Sequence, residues 1–146
     1  MADRPIPIAS DHAGFALKEH LKKVLDKLGV PYQDLGTTSA ESVDYPDFAK
    51  KVAEAVSSGQ SDRGLLVCGS GQGMAMTANR YPGVRAAVAI DEEMAQLSRE
   101  HNDANILTLG GRLTEPDQAE RIVKVWLETP FSGGRHATRV AKIEKK

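Results

Sequence analysis

The chain has a single cysteine among its 146 residues. That rules out an intrachain disulfide framework and any metal site built from several thiolates, and it suits a reducing compartment. An excess of either charge is also missing: 19 lysines and arginines stand against 20 aspartates and glutamates, a net charge of −1. This balance gives no reason to expect nucleic acid or an anionic membrane as a partner. No apolar run approaches the ~18 residues needed to span a bilayer, and the opening residues Met1 to Pro7 carry no apolar stretch of the signal-peptide kind. Internal repeats and low-complexity tracts are absent as well. The expectation left by these absences is an ordinary globular chain of the cytoplasm.

What is present agrees with that class: 40% hydrophobic and 27% charged residues, with 13 glycines and 7 prolines. A chain of this length buries roughly 70% of its unfolded surface, enough for one domain without disulfide or metal staples; the domain is expected to span residues 1–146. Short β-rich runs alternate with helical periodicity from end to end. The strand candidates are Ile6–Ala9, Val30–Leu35, Gly64–Cys68, Val84–Ile90 and Asn105–Leu109. The first helix is predicted from Leu17, Leu21, Val24, Leu25 and Leu28 on one face, ending at Gly29. A second opens at Asp44 with Pro46 in its first turn and packs through Phe48, Val52 and Val56. A third follows Gly69–Gly73, and a fourth opens at Asp91. At the fifth, Thr114-Glu115-Pro116-Asp117 reads as a capping box with proline early in the helix. The last is predicted over Arg135–Lys146.

Strands alternating with helices imply right-handed crossovers and a parallel sheet covered on both faces. The expected fold is α/β, a Rossmann-like or flavodoxin-like three-layer sandwich with strand order 2-1-3-4-5. Pro7 conflicts with a central first strand, because proline is tolerated mainly at a strand's start, so that strand is predicted to be short. Ligands in open α/β sheets bind beyond the carboxyl ends of the strands where strand order reverses. Here that crevice falls between strands 1 and 3, followed by Ser10-Asp11-His12 and by Cys68-Gly69-Ser70-Gly71-Gln72-Gly73.

Cys68 ends a strand and precedes a helix start, a setting that favours the thiolate. The glycine run can bring backbone N–H groups to an anion. It is neither a dinucleotide fingerprint nor a Walker A loop: the third glycine comes one residue early, and no Lys-Ser/Thr follows. A phosphatase-type Cys-x5-Arg loop is excluded because Met74 stands where the arginine belongs. A receiver domain is excluded because Cys68 replaces its aspartate. His12 falls at the switch point. His101 falls just before strand 5, at the wrong end of that strand for the crevice of a lone chain. Arg135 and Arg139, spaced i, i+4, share a helix face and can present two guanidinium groups to one phosphate. Arg112 is a third candidate anion ligand.

Asp11-His12-Ala13-Gly14, Asp44-Tyr45-Pro46, Cys68-Gly69-Ser70-Gly71, Leu97 to Asn102, Gly110-Gly111-Arg112 and Gly133-Gly134-Arg135-His136 occur in this order. Together they resemble the type B ribose-5-phosphate isomerases, a family that also holds galactose-6-phosphate and allose-6-phosphate isomerases. The resemblance runs from Ile8 to about Ile143. It implies a cofactor-independent aldose–ketose isomerase with no metal, interconverting ribose 5-phosphate and ribulose 5-phosphate, with a 6-phosphohexose as the alternative substrate, and working as a homodimer or dimer of dimers whose sites are shared between subunits and whose C-terminal helix packs on the partner. Cys68 then resembles the base that moves a proton between C1 and C2, and His101 the acid/base that opens the furanose ring. Asp11, His12 and Asn102 resemble ligand contacts, Tyr45 a residue near the pocket, and Gly69, Ser70, Gly71, Gln72 and Gly73 the anion hole for the enediolate. Arg112, Arg135 and Arg139 resemble phosphate contacts. Ser70 stands where many members have threonine, which keeps the hydroxyl. Met74 stands where another branch has a glutamate base, which places this chain with the cysteine branch.

Overall fold

A computed structural model describes residues 4–144. The elements in chain order are β1 (Ile6–Ser10), α1 (Phe15–Leu28), β2 (Tyr32–Asp34), α2 (Tyr45–Ser57), β3 (Gly64–Cys68), α3 (Gln72–Ala78), β4 (Ala86–Val88), α4 (Glu92–Glu100), β5 (Ile106–Gly110), α5 (Pro116–Glu128) and α6 (Arg135–Ala141). All five strands pair in parallel. Helix α1 buries Leu17, Leu21, Val24 and Leu25 and ends on Gly29 in the left-handed conformation (φ 70°), as its sequence predicts. Leu28, at 39% exposure, is the one member of the predicted stripe left at the surface.

The strand order is β2-β1-β3-β5-β4, not the expected 2-1-3-4-5. Burial decides between the two. Ile106, Leu107 and Leu109 are at most 1% exposed, and three such side chains contribute roughly 5–8 kcal/mol when fully buried. The short β4, Ala86-Ala87-Val88, is only half-buried. A strand as apolar as β5 gains most in the interior and leaves the alanine-rich strand at the edge. Right-handed crossovers then set the faces. Helices α1 and α5, with Ala95 of α4, pack on one side around Leu21, Ile122 and Trp126. Helices α2 and α3 pack on the other around Val52, Leu66 and Met74.

Three local expectations are corrected. Pro7 lies within β1, which runs its full length, because the β1–β3 register begins only at Ile8↔Leu65 and the missing N–H precedes that ladder. The capping box at Thr114 does not form: Thr114 is buried, and Glu115 occupies the cap without a side-chain hydrogen bond. Helix α6 stops at Ala141 and buries none of its residues, while Lys145 and Lys146, the predicted end, lie outside the described residues.

A charged network braces the edge next to β1. The Lys18 ammonium, its side chain wholly buried, lies 2.6 Å from Asp34 Oδ2, and Lys22 reaches the same oxygen at 2.9 Å. Asp34 Oδ1 accepts the Gly36 N–H at 2.9 Å. Gly36 and Thr37 in turn bond to the backbone of Ser10, carrying the pairing beyond β2 towards Asp11. Burial pushes the Asp34 carboxyl up, but Lys18, Lys22 and the Gly36 N–H outweigh it and hold the carboxyl below its ordinary range. The ionised form therefore stabilises the fold above the unfolded pKa of about 3.9, and that contribution is lost as pH falls through the lower folded value. Asp34→Asn is expected to flatten the acid side of a stability curve followed by urea unfolding below about pH 4. An unchanged slope would show that the network adds no net stability.

Candidate active site

Three loops leave the carboxyl ends of β1, β3 and β5 and pack backbone against backbone. A Cβ on Gly14 would stand 2.4 Å from the Val67 carbonyl oxygen, so the turn into α1 lies directly on β3. Gly71 has φ 82°, and a Cβ there would sit 3.1–3.3 Å from the Leu109 backbone. Only glycine makes that turn without strain. Hydrogen bonds close the assembly: Gly111 N–H donates to the Cys68 carbonyl at 2.7 Å, and Arg112 N–H to the Gly69 carbonyl at 3.0 Å.

Above this junction lies a cleft of about 490 Å³. Of the residues expected at the site, Asp11, His12, Tyr45, Cys68, Gly69, Ser70, Gly73 and Arg112 line it. The Cys68 side chain is at the floor, 4% exposed, and its Sγ accepts the Gly71 N–H at 3.2 Å. Gln72 N–H is likewise turned inward, to Ser70 Oγ at 3.3 Å. These two donors of the glycine run are thus engaged within the loop. Gly71 is buried behind the cleft and the Gln72 side chain is exposed, so neither lines it. Asp11 Oδ1 accepts the Gly14 N–H at 3.0 Å, and His12 Nδ1 accepts the Val43 N–H at 3.1 Å. The Arg112 guanidinium lies over Gly69, its Nη1 3.3 Å from where a Cβ there would stand. Tyr45, 40% exposed, packs its ring against Gly73 at the start of α3, a contact closed to any larger residue. Ala13, Met76 and Leu113 complete the lining. No chemistry-bearing side chain marks these three in the sequence.

His101, Asn102, Arg135 and Arg139 do not line this cleft. His101 caps the carboxyl end of α4, at the amino end of β5, whereas Cys68 pairs with Gly110 at the opposite end of that strand. Four residue steps along β5 separate the two levels by roughly 13 Å. His101 stacks on His136 of α6, ring centroids 4.3 Å apart and planes within 13°. Ser132 N–H donates to the Glu100 carbonyl at 3.1 Å and holds the approach to α6 against α4. Lost hydration, with His101 and the Arg135 and Arg139 guanidinium groups nearby, lowers the His136 pKa from its ordinary value and so favours its neutral ring. The sequence reading gave no role to His136, and only the fold brings its ring to His101. Asn102 lines a separate hollow of about 790 Å³ beside β4, with Asn79, Arg85 and Ile143. Among the described residues no group of three or more His, Cys, Asp or Glu is placed to hold a metal ion, and no helix is long and apolar enough to cross a membrane.

At the sheet's reversal point a thiol thus shares one cleft with a carboxylate, an imidazole and a guanidinium. Residues 6–143 match the ribose/galactose isomerase family, and the chain belongs to it. It is 49% identical to a putative sugar phosphate isomerase of Bacillus subtilis over 139 residues, covering 94% of this chain and 93% of that protein. It is 44% identical to ribose-5-phosphate isomerase B of Escherichia coli over 140 residues, covering 96% and 94%. Among solved structures, ribose-5-phosphate isomerase B of Clostridium thermocellum superposes with TM-score 0.93 at 55% identity, covering 95% of this chain and 94% of that one. The type B ribose 5-phosphate isomerase of Trypanosoma brucei gives 0.92 at 43% identity, covering 96% of each.

Proposed function

We propose that this enzyme interconverts ribose 5-phosphate and ribulose 5-phosphate in the cytoplasm, through ring opening and an enediolate. The observation that carries the reading is the position of Cys68, at the carboxyl end of β3 on the floor of a cleft that Asp11, His12 and Arg112 also line. In the proposed route Cys68 removes the proton from the carbon beside the carbonyl and returns it to the neighbouring carbon. A placed base of this kind contributes ~10²–10⁴-fold. The remaining N–H groups of the Gly69–Gly73 run take the developing oxyanion, since those of Gly71 and Gln72 are engaged. Phosphate binding by arginines, remote from the reacting carbons, holds the open-chain sugar in register.

The other residues of the proposed site sit at the opposite end of the sheet, so one chain supplies two halves. His101, Asn102, Arg135 and Arg139 are proposed to complete the cleft of an adjoining protomer, His101 opening the ring and the arginines holding the phosphate. The outer surface of α6, none of whose residues is buried, is free for that role. A coupled assay across ribose 5-phosphate, allose 6-phosphate and galactose 6-phosphate tests the reading. The highest kcat/KM is expected for ribose 5-phosphate, and a higher value for either hexose phosphate would overturn that assignment.

A further inference from the structure

His12 belongs to the proposed site, but its ring is tied to a segment with no chemistry of its own. Nδ1 accepts the Val43 backbone N–H at 3.1 Å. An imidazole nitrogen that accepts a hydrogen bond carries no proton, so in the neutral ring the proton is on the other nitrogen. We infer that the Val43 amide is a positioning group that locks His12 in its Nε2–H tautomer, making Nε2 a hydrogen-bond donor to an oxygen of the bound phosphosugar.

The surroundings support a fixed donor. Val43 lies in the segment between β2 and α2, which is anchored upstream where Gly36 and Thr37 pair with Ser10 and where Asp34 takes the Gly36 N–H. Downstream, Tyr45 opens α2 and packs on Gly73. Both ends of the segment are therefore pinned to parts of the same cleft. The neighbouring Asp11 is an acceptor with one oxygen already committed to Gly14 N–H. A donor at His12 beside an acceptor at Asp11 is a pairing suited to a sugar hydroxyl, which gives one hydrogen bond and takes another. The opposite tautomer would leave the buried side of the ring with two donors facing each other and offer the substrate only an acceptor.

This inference rests on the proposed function for the identity of the ligand, but its main test does not. Long-range proton–nitrogen correlation spectra of the ligand-free wild-type protein report which ring nitrogen of His12 bears the proton. Nδ1 is expected in the unprotonated range and Nε2 in the protonated range. The reverse pattern would overturn the inference, whichever phosphosugar the enzyme turns over. Val43→Pro, which deletes the N–H, is expected to shift His12 towards a mixture of tautomers and to lower kcat/KM for ribose 5-phosphate about tenfold, mostly through KM, as loss of one neutral hydrogen bond predicts. Val43→Ala keeps the amide and is expected to keep the wild-type tautomer signature. An unaltered His12 spectrum in a folded Val43→Pro protein would equally count against the amide as the cause.

Discussion

Replacing Cys68 by alanine is expected to lower kcat for ribose 5-phosphate by ~10²–10⁴-fold, the contribution of a placed general base, while leaving the protein folded. The two effects are separable because the side chain is small. Removing one sulfur from a buried site costs about as much as removing a methyl group, on the order of 1 kcal/mol. The variant also leaves Gly71 N–H without its acceptor. Cys68→Ser restores an oxygen acceptor for that N–H, yet a hydroxyl is a far weaker base than a thiolate. Serine is therefore expected to recover part of any lost stability and little of the activity. Urea unfolding and the coupled assay on the three proteins provide the check. Turnover within tenfold of wild type in either variant would remove Cys68 from the proton-transfer step.

The second large effect concerns the division of the site. His101→Ala and Cys68→Ala proteins are each expected to be almost inactive. If every cleft takes Cys68 from one protomer and His101 from its neighbour, a mixed dimer of the two variants holds one intact cleft and one doubly damaged cleft. Random reassortment makes about half of the dimers mixed, so a one-to-one mixture should recover about a quarter of wild-type activity. If both residues served the cleft of a single chain, no mixed dimer would contain an intact site and the mixture would stay inactive. Denaturing and refolding the two proteins together, then assaying across mixing ratios, distinguishes the outcomes. The stacked His101–His136 pair and the exposed α6 supply the physical reason for expecting recovery: two histidines beside Arg135 and Arg139 stand at a distance from the only thiol in the chain.

Most of the fold was legible because its signals are local. The apolar stripe of α1, its terminal Gly29 and the Asp91 cap, whose side chain accepts the Met94 N–H at 2.8 Å, each follow from a few neighbouring residues. The order of the last two strands was not legible in the same way. The run Val84–Ile90 looks as β-like as Asn105–Leu109, and what separates them is how much each buries in the finished sheet. The site shows the same contrast. Asp11, His12 and Cys68 follow directly after strands, so the reversal rule locates them. Their supports do not follow from sequence pattern: the Val43 amide on His12, the ring of His136 against His101 and the cleft wall of Met76 and Leu113 depend on segments brought together only by packing. Glu115 shows a limit of motif reading too, since Thr114 has the composition of a capping residue but is buried one position before the cap.

The interior place of β5 has a consequence for how the chain is made. Synthesis delivers β1 to β4 first, yet β4 pairs only with β5 and β3 has β5 as its second neighbour. Until Ile106–Gly110 leaves the ribosome, the strand that carries Cys68 has one bare edge and β4 has no partner. Bare strand edges invite pairing with other chains. The stretch from Ile106 onward, which brings β5, Arg112, α5 and α6, therefore seals the sheet and completes the proposed site in one late event, leaving a nascent chain interrupted before that point prone to associate.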